Sequence, residues 1–322
     1  MPMKIALVLA LLPLLAACAG NHDGVSTTPR ETPRIDYHQH LVSPAFAPLA
    51  GVGQRDGAAL IRELGEAGIE RAVVLSVGYS FGDERKALDD PDRLTREEND
   101  WTSAEVMKNA PHLIGFCSAN PLRPDALDEL ERCLRLPGMS GIKVHLGNGG
   151  ITLRDPVHLE RIQKLFALAQ RRSAPVLIHM RARGGTNYGG EDAQIFLDKV
   201  VPQAPGIEIV IAHLGATSPG YVAQNDEVMA ILAAAAERRD PRMVNLYVDV
   251  SANVTSETTA EEAALIARRI RQVGTARVLY GSDLTPPGGS VRSGWELFRT
   301  KLPLNAAEFQ AIANNQTRFA RE

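Results

Sequence analysis

The strongest constraint on the fold is an alternation. From Arg34 onward, short runs rich in Val, Ile and Leu take turns with amphipathic helical segments, and this happens eight times. The runs end near His40, Val77, Ser118, Leu146, His179, His213, Asp249 and Tyr280. Repeated βα units bury both faces of a parallel sheet. Eight of them in about 290 residues predict a (β/α)₈ barrel, with an open doubly wound sheet as the competing arrangement. Helix punctuation supports the reading. Asp155-Pro156 supplies an N-cap and a first-turn proline, Thr259 and Glu262 have capping-box spacing, and Gly274 is a stop signal. The charged stretch 83–96 reads as a loop, with a helix from Glu97 to Asn109.

In a barrel of this kind the carboxyl ends of the strands converge on one mouth. The chain has eight histidines, and five of them (His38, His40, His145, His179, His213) fall at such ends, with Asp283 after the eighth. His38 and His40 are two apart on an extended segment, so they share a face, with Cα atoms roughly 6.6 Å apart. One strand-end histidine is ordinarily a hydrogen-bonded structural residue. Five at equivalent places plus a carboxylate predict a metal site, since imidazole and carboxylate suit a borderline divalent cation.

These residues resemble the amidohydrolase superfamily, in its amidohydrolase-related branch of mostly single-metal hydrolases and decarboxylases. The resemblance runs from Ile35 to the C-terminus. It is carried by His38 and His40, by His179, by His213 in AHLG, by YVDVS, by Asp283 in YGSD and by the tail NNQTRFA. It implies that His38, His40, His179 and Asp283 hold one divalent ion, with zinc the first expectation. It also implies that His213 and Asp283 move protons. Lys143 sits on the fourth strand, where two-metal relatives carry a bridging lysine, and His145 shares its face. Lys143 is read as a neutralising or substrate-orienting group, with the second-metal role as the competing reading. Arg181 and Arg183 follow His179, and one of them is a candidate for a substrate carboxylate. Asp249 either orients a ligand or simply ends its strand. The expected activity is hydrolysis of a small-molecule ester, lactone or amide by metal-activated water. Decarboxylation at the same site is the alternative, and a non-enzymatic metal-binding lipoprotein the third reading.

The chain begins differently. Lys4 precedes the apolar run 5–17 and then Cys18, in the order Leu15-Ala16-Ala17-Cys18. This predicts a signal peptide over 1–17 with lipidation of Cys18, as in bacterial lipoproteins. A flexible tether (18–33) then leads into the barrel, 34–322. The expected location is the periplasmic face of a membrane, the outer one by the Ala19 that follows. A net charge of −3 and no basic cluster argue against nucleic acid. Cys117 and Cys133 both read as apolar core residues rather than a disulfide. The oligomeric state is not legible.

Overall fold

The computed structural model describes residues 31–181, 187–216, 218–283 and 290–321. The signal segment, Cys18 and Arg183 lie outside them. Among the described residues, no helix is long and apolar enough to cross a membrane.

Eight strands run in parallel in the order of the chain. They are β1 Ile35–Gln39, β2 Arg71–Leu75, β3 Leu113–Ser118, β4 Met139–His145, β5 Val176–His179, β6 Ile209–Ile211, β7 Leu246–Asp249 and β8 Val278–Leu279. The seam between β8 and β1 is bridged by two backbone hydrogen bonds, from Tyr37 N to Tyr280 O (2.9 Å) and from Asp283 N to His38 O (2.9 Å). Side chains split by alternation. Ile35, Tyr37, Val73, Leu75, Phe116, Leu177, Val210 and Leu279 fill the barrel axis. The opposite faces pack on the surrounding helices through Val74, Val144, Ile178, Ile211 and Val248. At the amino ends of the strands the tail closes the barrel. Glu208 accepts the backbone N–H groups of Arg318 (2.8 Å) and Phe319 (3.0 Å), and the Phe319 ring meets those of Tyr37 and Phe116.

Several expectations are corrected. The helix expected from Glu97 starts at Pro91 and runs to Lys108, because Asp90 caps it and a proline occupies its first turn. The Asp-Pro signal outweighs the charge density that suggested a loop. His213 does not end a strand. β6 stops at Ile211, and His213 lies in a tight turn with φ 55°, ψ 40°. Cys117 and Cys133 are bonded to each other. Cys117 alternates with the inward Phe116 and so faces the helix Ala126–Cys133, which presents Cys133 to it. Their Cα atoms are 5.9 Å apart, within bonding range. Glu31, in the expected tether, already packs on the barrel, its carbonyl accepting from Trp295 Nε1 at 3.0 Å.

Candidate metal centre

β1 does not keep strict alternation. Ile35 and Tyr37 point to the axis, which would send His38 outward. The pairing with β2 shifts between Asp36 and Gln39, so three residues of β1 span two of β2. This bulge re-aims His38 and His40 into the mouth. Asp36 stabilises it by accepting the His38 amide (3.0 Å), and also binds Gln39 Nε2 (2.7 Å) and Ser282 Oγ (2.6 Å). The end of β8 can close on this point only because residue 281 is glycine. A Cβ there would sit 2.7 Å from His38 Cβ.

The ring hydrogens follow from the partners. His40 Nδ1 lies 2.8 Å from Leu75 O, and His213 Nδ1 lies 3.0 Å from Ser251 O. Carbonyl oxygens only accept, so each Nδ1 carries the hydrogen. Burial holds both rings neutral, pushing His40 down to about 3 and His213 to about 4. Nε2 is therefore bare in both. His38 Nδ1 donates to Asp249 Oδ2 (2.9 Å), while its Nε2 faces Lys143 Nζ at 3.2 Å. Asp249 therefore does more than end its strand: it orients the His38 ring, and it also accepts the His213 amide at 2.9 Å. Burial would raise its pKa, but His38, His213 and Ser251 outweigh burial and keep it ionised.

The three Nε2 atoms converge on Asp283. His38 and His40 are each 3.6 Å from Oδ1, and His213 is 3.7 Å from Oδ2. Burial opposes ionisation of Asp283, but positive charge at the mouth, from the histidines when protonated and from Lys143, holds its pKa below the usual value. Lys143 Nζ meets one of these acceptors, His38 Nε2, while His40 Nε2, His213 Nε2 and the Asp283 carboxylate repel one another unless a further cation sits among them. The ligand atoms of His38, His40 and Asp283 lie within 4.8 Å of one another, a spacing suited to one ion. His38, His213 and Asp249 form a second such group, but the Nδ1–Asp249 hydrogen bond uses it for orientation. His179 belongs to neither group. It lines the same cavity, its ring stacked on His145 (3.9 Å) and 4.9 Å from His213.

Lys143 is buried beneath the mouth, and burial lowers its pKa to about 8 against the pull of Asp283 and Asp249. The cavity, of roughly 250 Å³, is also lined by Val42, Phe46, Tyr79 and Ser218. Arg181 is half-buried just beyond β5 and does not line it. The turn at His213 is in the left-handed region, as is Leu214 at φ 48°. Asn225 Nδ2 (2.6 Å) and Asn253 Nδ2 (3.1 Å) both hold the His213 carbonyl. Tyr79, Ser218, Asn225, Ser251 and Asn253 were missed in the sequence. Only Ser251 left a signal, two residues after Asp249 in YVDVS.

A family model described as amidohydrolase matches residues 35–315. The chain belongs to that family. The family is metal-dependent, and the converging donors above fit an ion. No curated protein matches the chain. Among solved structures it is similar to a 2,6-dihydroxybenzoate decarboxylase from Rhizobium, at 15% identity and TM-score 0.58 over 87% of this chain and 96% of that one. It is similar to a 5-carboxyvanillate decarboxylase from Novosphingobium aromaticivorans complexed with manganese, at 15% identity and TM-score 0.55 over 87% and 93%. A probable 2-pyrone-4,6-dicarboxylic acid hydrolase from Acinetobacter baumannii, with citric acid bound, matches at 15% identity and TM-score 0.56 over 87% and 96%. At such identities the likeness shows the fold.

Proposed function

We propose that the protein is a metal-dependent hydrolase of a small-molecule ester, lactone or amide. The observation that carries this is the convergence of bare His38, His40 and His213 nitrogens on one ionised carboxylate. His38, His40 and Asp283 would hold the ion, with His179 as fourth ligand by its place in the family pattern. Zinc suits this donor set, and so does manganese. When bound, the ion lowers the pKa of water and polarises a substrate oxygen. Asp283 is placed to take a proton at Oδ2, where Ser218 Oγ already donates from 3.2 Å. His213 Nε2, 3.7 Å from that oxygen, is the next acceptor. The Ser251 carbonyl keeps the His213 hydrogen on Nδ1, so Nε2 stays free to accept. Asp249 balances the positive charge that follows. The proton then goes to the leaving alkoxide or amine.

Decarboxylation is the second reading, supported by the likeness to two decarboxylases. There the same pair would deliver a proton to carbon. The two reactions differ in proton balance. Cleaving an ester or lactone near neutrality releases a proton, whereas decarboxylation of a carboxylate takes one up as carbon dioxide leaves. A pH-stat screen of the metal-replete protein against lactones, esters and aromatic acids decides between them. Acid release supports hydrolysis, and base release with carbon dioxide supports the lyase. Bound metal with no turnover across the panel supports a metal-binding protein.

We also propose that the protein is exported and anchored through Cys18. The Cys117–Cys133 bond supports an oxidising compartment. Cys18→Ser should move the protein from the membrane to the soluble fraction. Unchanged partitioning would sink the anchor.

A further inference from the structure

The mouth histidines differ in which ring nitrogen is tied down. His38, His40 and His213 give Nδ1–H to an oxygen and turn a bare Nε2 to the cavity. His145 is reversed. The backbone N–H of Asn148 points at its Nδ1 from 3.1 Å. A backbone amide can only donate, so that nitrogen is bare and the ring hydrogen sits on Nε2. The ring cannot swap its nitrogens without losing this bond. It is also held face to face with His179, the planes 12° apart, and it meets the Tyr79 ring at 4.8 Å.

Tyr79 lines the same cavity and is only 5% exposed. Burial, with the charge of Asp283 adding to it, pushes its phenol pKa up, so it keeps its hydrogen. Its hydroxyl bonds to no group among the described residues and is not sealed off from the cavity. A donor open to the cavity and without a protein partner is available to an acceptor oxygen of a ligand. The cavity therefore has two kinds of wall. His38, His40, His213 and Asp283 present acceptors, and His145 and Tyr79 present donors.

We propose that His145 Nε2–H and the Tyr79 hydroxyl form a donor pair that holds an sp² oxygen of the substrate, and that His145 is not an ion ligand. The proposal takes the cavity to be the substrate site of the hydrolase above. An ion needs a lone pair aimed at it, and the edge His145 turns to the cavity carries a hydrogen. The oxygen received belongs to either a carbonyl or a carboxylate.

Two measurements on the metal-replete protein test this. Long-range ¹H–¹⁵N correlation of histidine-labelled protein separates the two tautomers. The His145 ring, assigned in the unmutated protein through the Asn148 amide, should carry its hydrogen on Nε2. A hydrogen on Nδ1, or a metal-shifted Nε2, overturns the proposal. Calorimetric titration with benzamide and benzoate then probes the pair. His145→Phe keeps a stacking ring and Tyr79→Phe keeps the ring shape. Each should weaken binding by about tenfold, the loss expected for one hydrogen bond of roughly 1.4 kcal/mol, with metal content unchanged. Weakening of benzoate alone assigns a carboxylate, and weakening of benzamide a carbonyl. Undiminished binding of both in both variants, or no binding of either to the unmutated protein, overturns the proposal. Neither measurement needs turnover, so a failed activity screen leaves it standing, and its failure leaves the hydrolysis test untouched.

Discussion

His213, in the turn after β6, stands apart from the histidines of β1. Its Nε2 lies as near Asp283 as those of His38 and His40, but its place in the family pattern is that of a proton carrier. His213→Asn should keep most of the bound metal and lower kcat by roughly 10²–10⁴-fold, the range for losing general acid–base help. Metal content and kcat on one preparation check this. Loss of the metal would make it a ligand. Glu98 is a different case, a carboxyl buried beside Ser43 with a pKa raised by that burial to about 7. The unfolded chain ionises near 4.5 while the folded one stays protonated, so stability falls as pH rises through that window and levels off above 7. Glu98→Gln should match the unmutated protein near pH 4 and exceed it well above pH 7 by about 3 kcal/mol, from the shift of 4.5 to about 7 at roughly 1.4 kcal/mol per unit. Urea melts across pH check it, and a gap that does not change with pH contradicts it. The histidines and Asp283 were legible because they recur at the ends of apolar runs. Tyr79, Asn225 and Asn253 were not, because single polar residues in loops carry no period.

At the scale of elements, capping chemistry was the most readable signal. Thr259 and Glu262 make the expected reciprocal bonds at 3.2 and 2.9 Å, and Asp155 caps the helix Pro156–Arg172. The same Asp-Pro signal at Asp90-Pro91 was overlooked amid charge. The β1 bulge was hidden, because reading a strand with period two assumes an unbroken pleat. The disulfide was hidden for a related reason. Sixteen residues separate the cysteines, and only the packing of β3 against its helix brings them together. The AHLG turn depends on its glycine. Gly215 has φ 95°, and a Cβ there would sit 2.8 Å from Val228 Cβ. Gly215→Ala should cost about 2 kcal/mol or more through backbone strain and overlap. Adding Val228→Ala should recover only the overlap part. Thermal melts of the single and double variants check it, and an undiminished melting temperature in Gly215→Ala contradicts it.

At the scale of the whole molecule, the barrel separates stability from chemistry. The tail residues Arg318 to Ala320 close one end, and the polar groups at the other end are held by bonds that run between strands. Asp36 ties β1 to Ser282, Asp249 ties β7 to His38 and His213, and Asn253 ties the loop after β7 to His213. The eightfold alternation was legible because each unit repeats one pattern. The length of each strand was not, because apolar runs continue past the last ladder bond, as at His213 and Tyr280. The central claim is that this polar end holds a single ion between His38, His40 and Asp283. Elemental analysis of the metal-replete, desalted protein tests it most directly, beside His40→Ala and Lys143→Ala. The account predicts about one divalent ion per chain, lost in His40→Ala with the fold intact by circular dichroism and kept in Lys143→Ala. Two ions per chain with one lost in Lys143→Ala, or the same content in His40→Ala as in the unmutated protein, would contradict it.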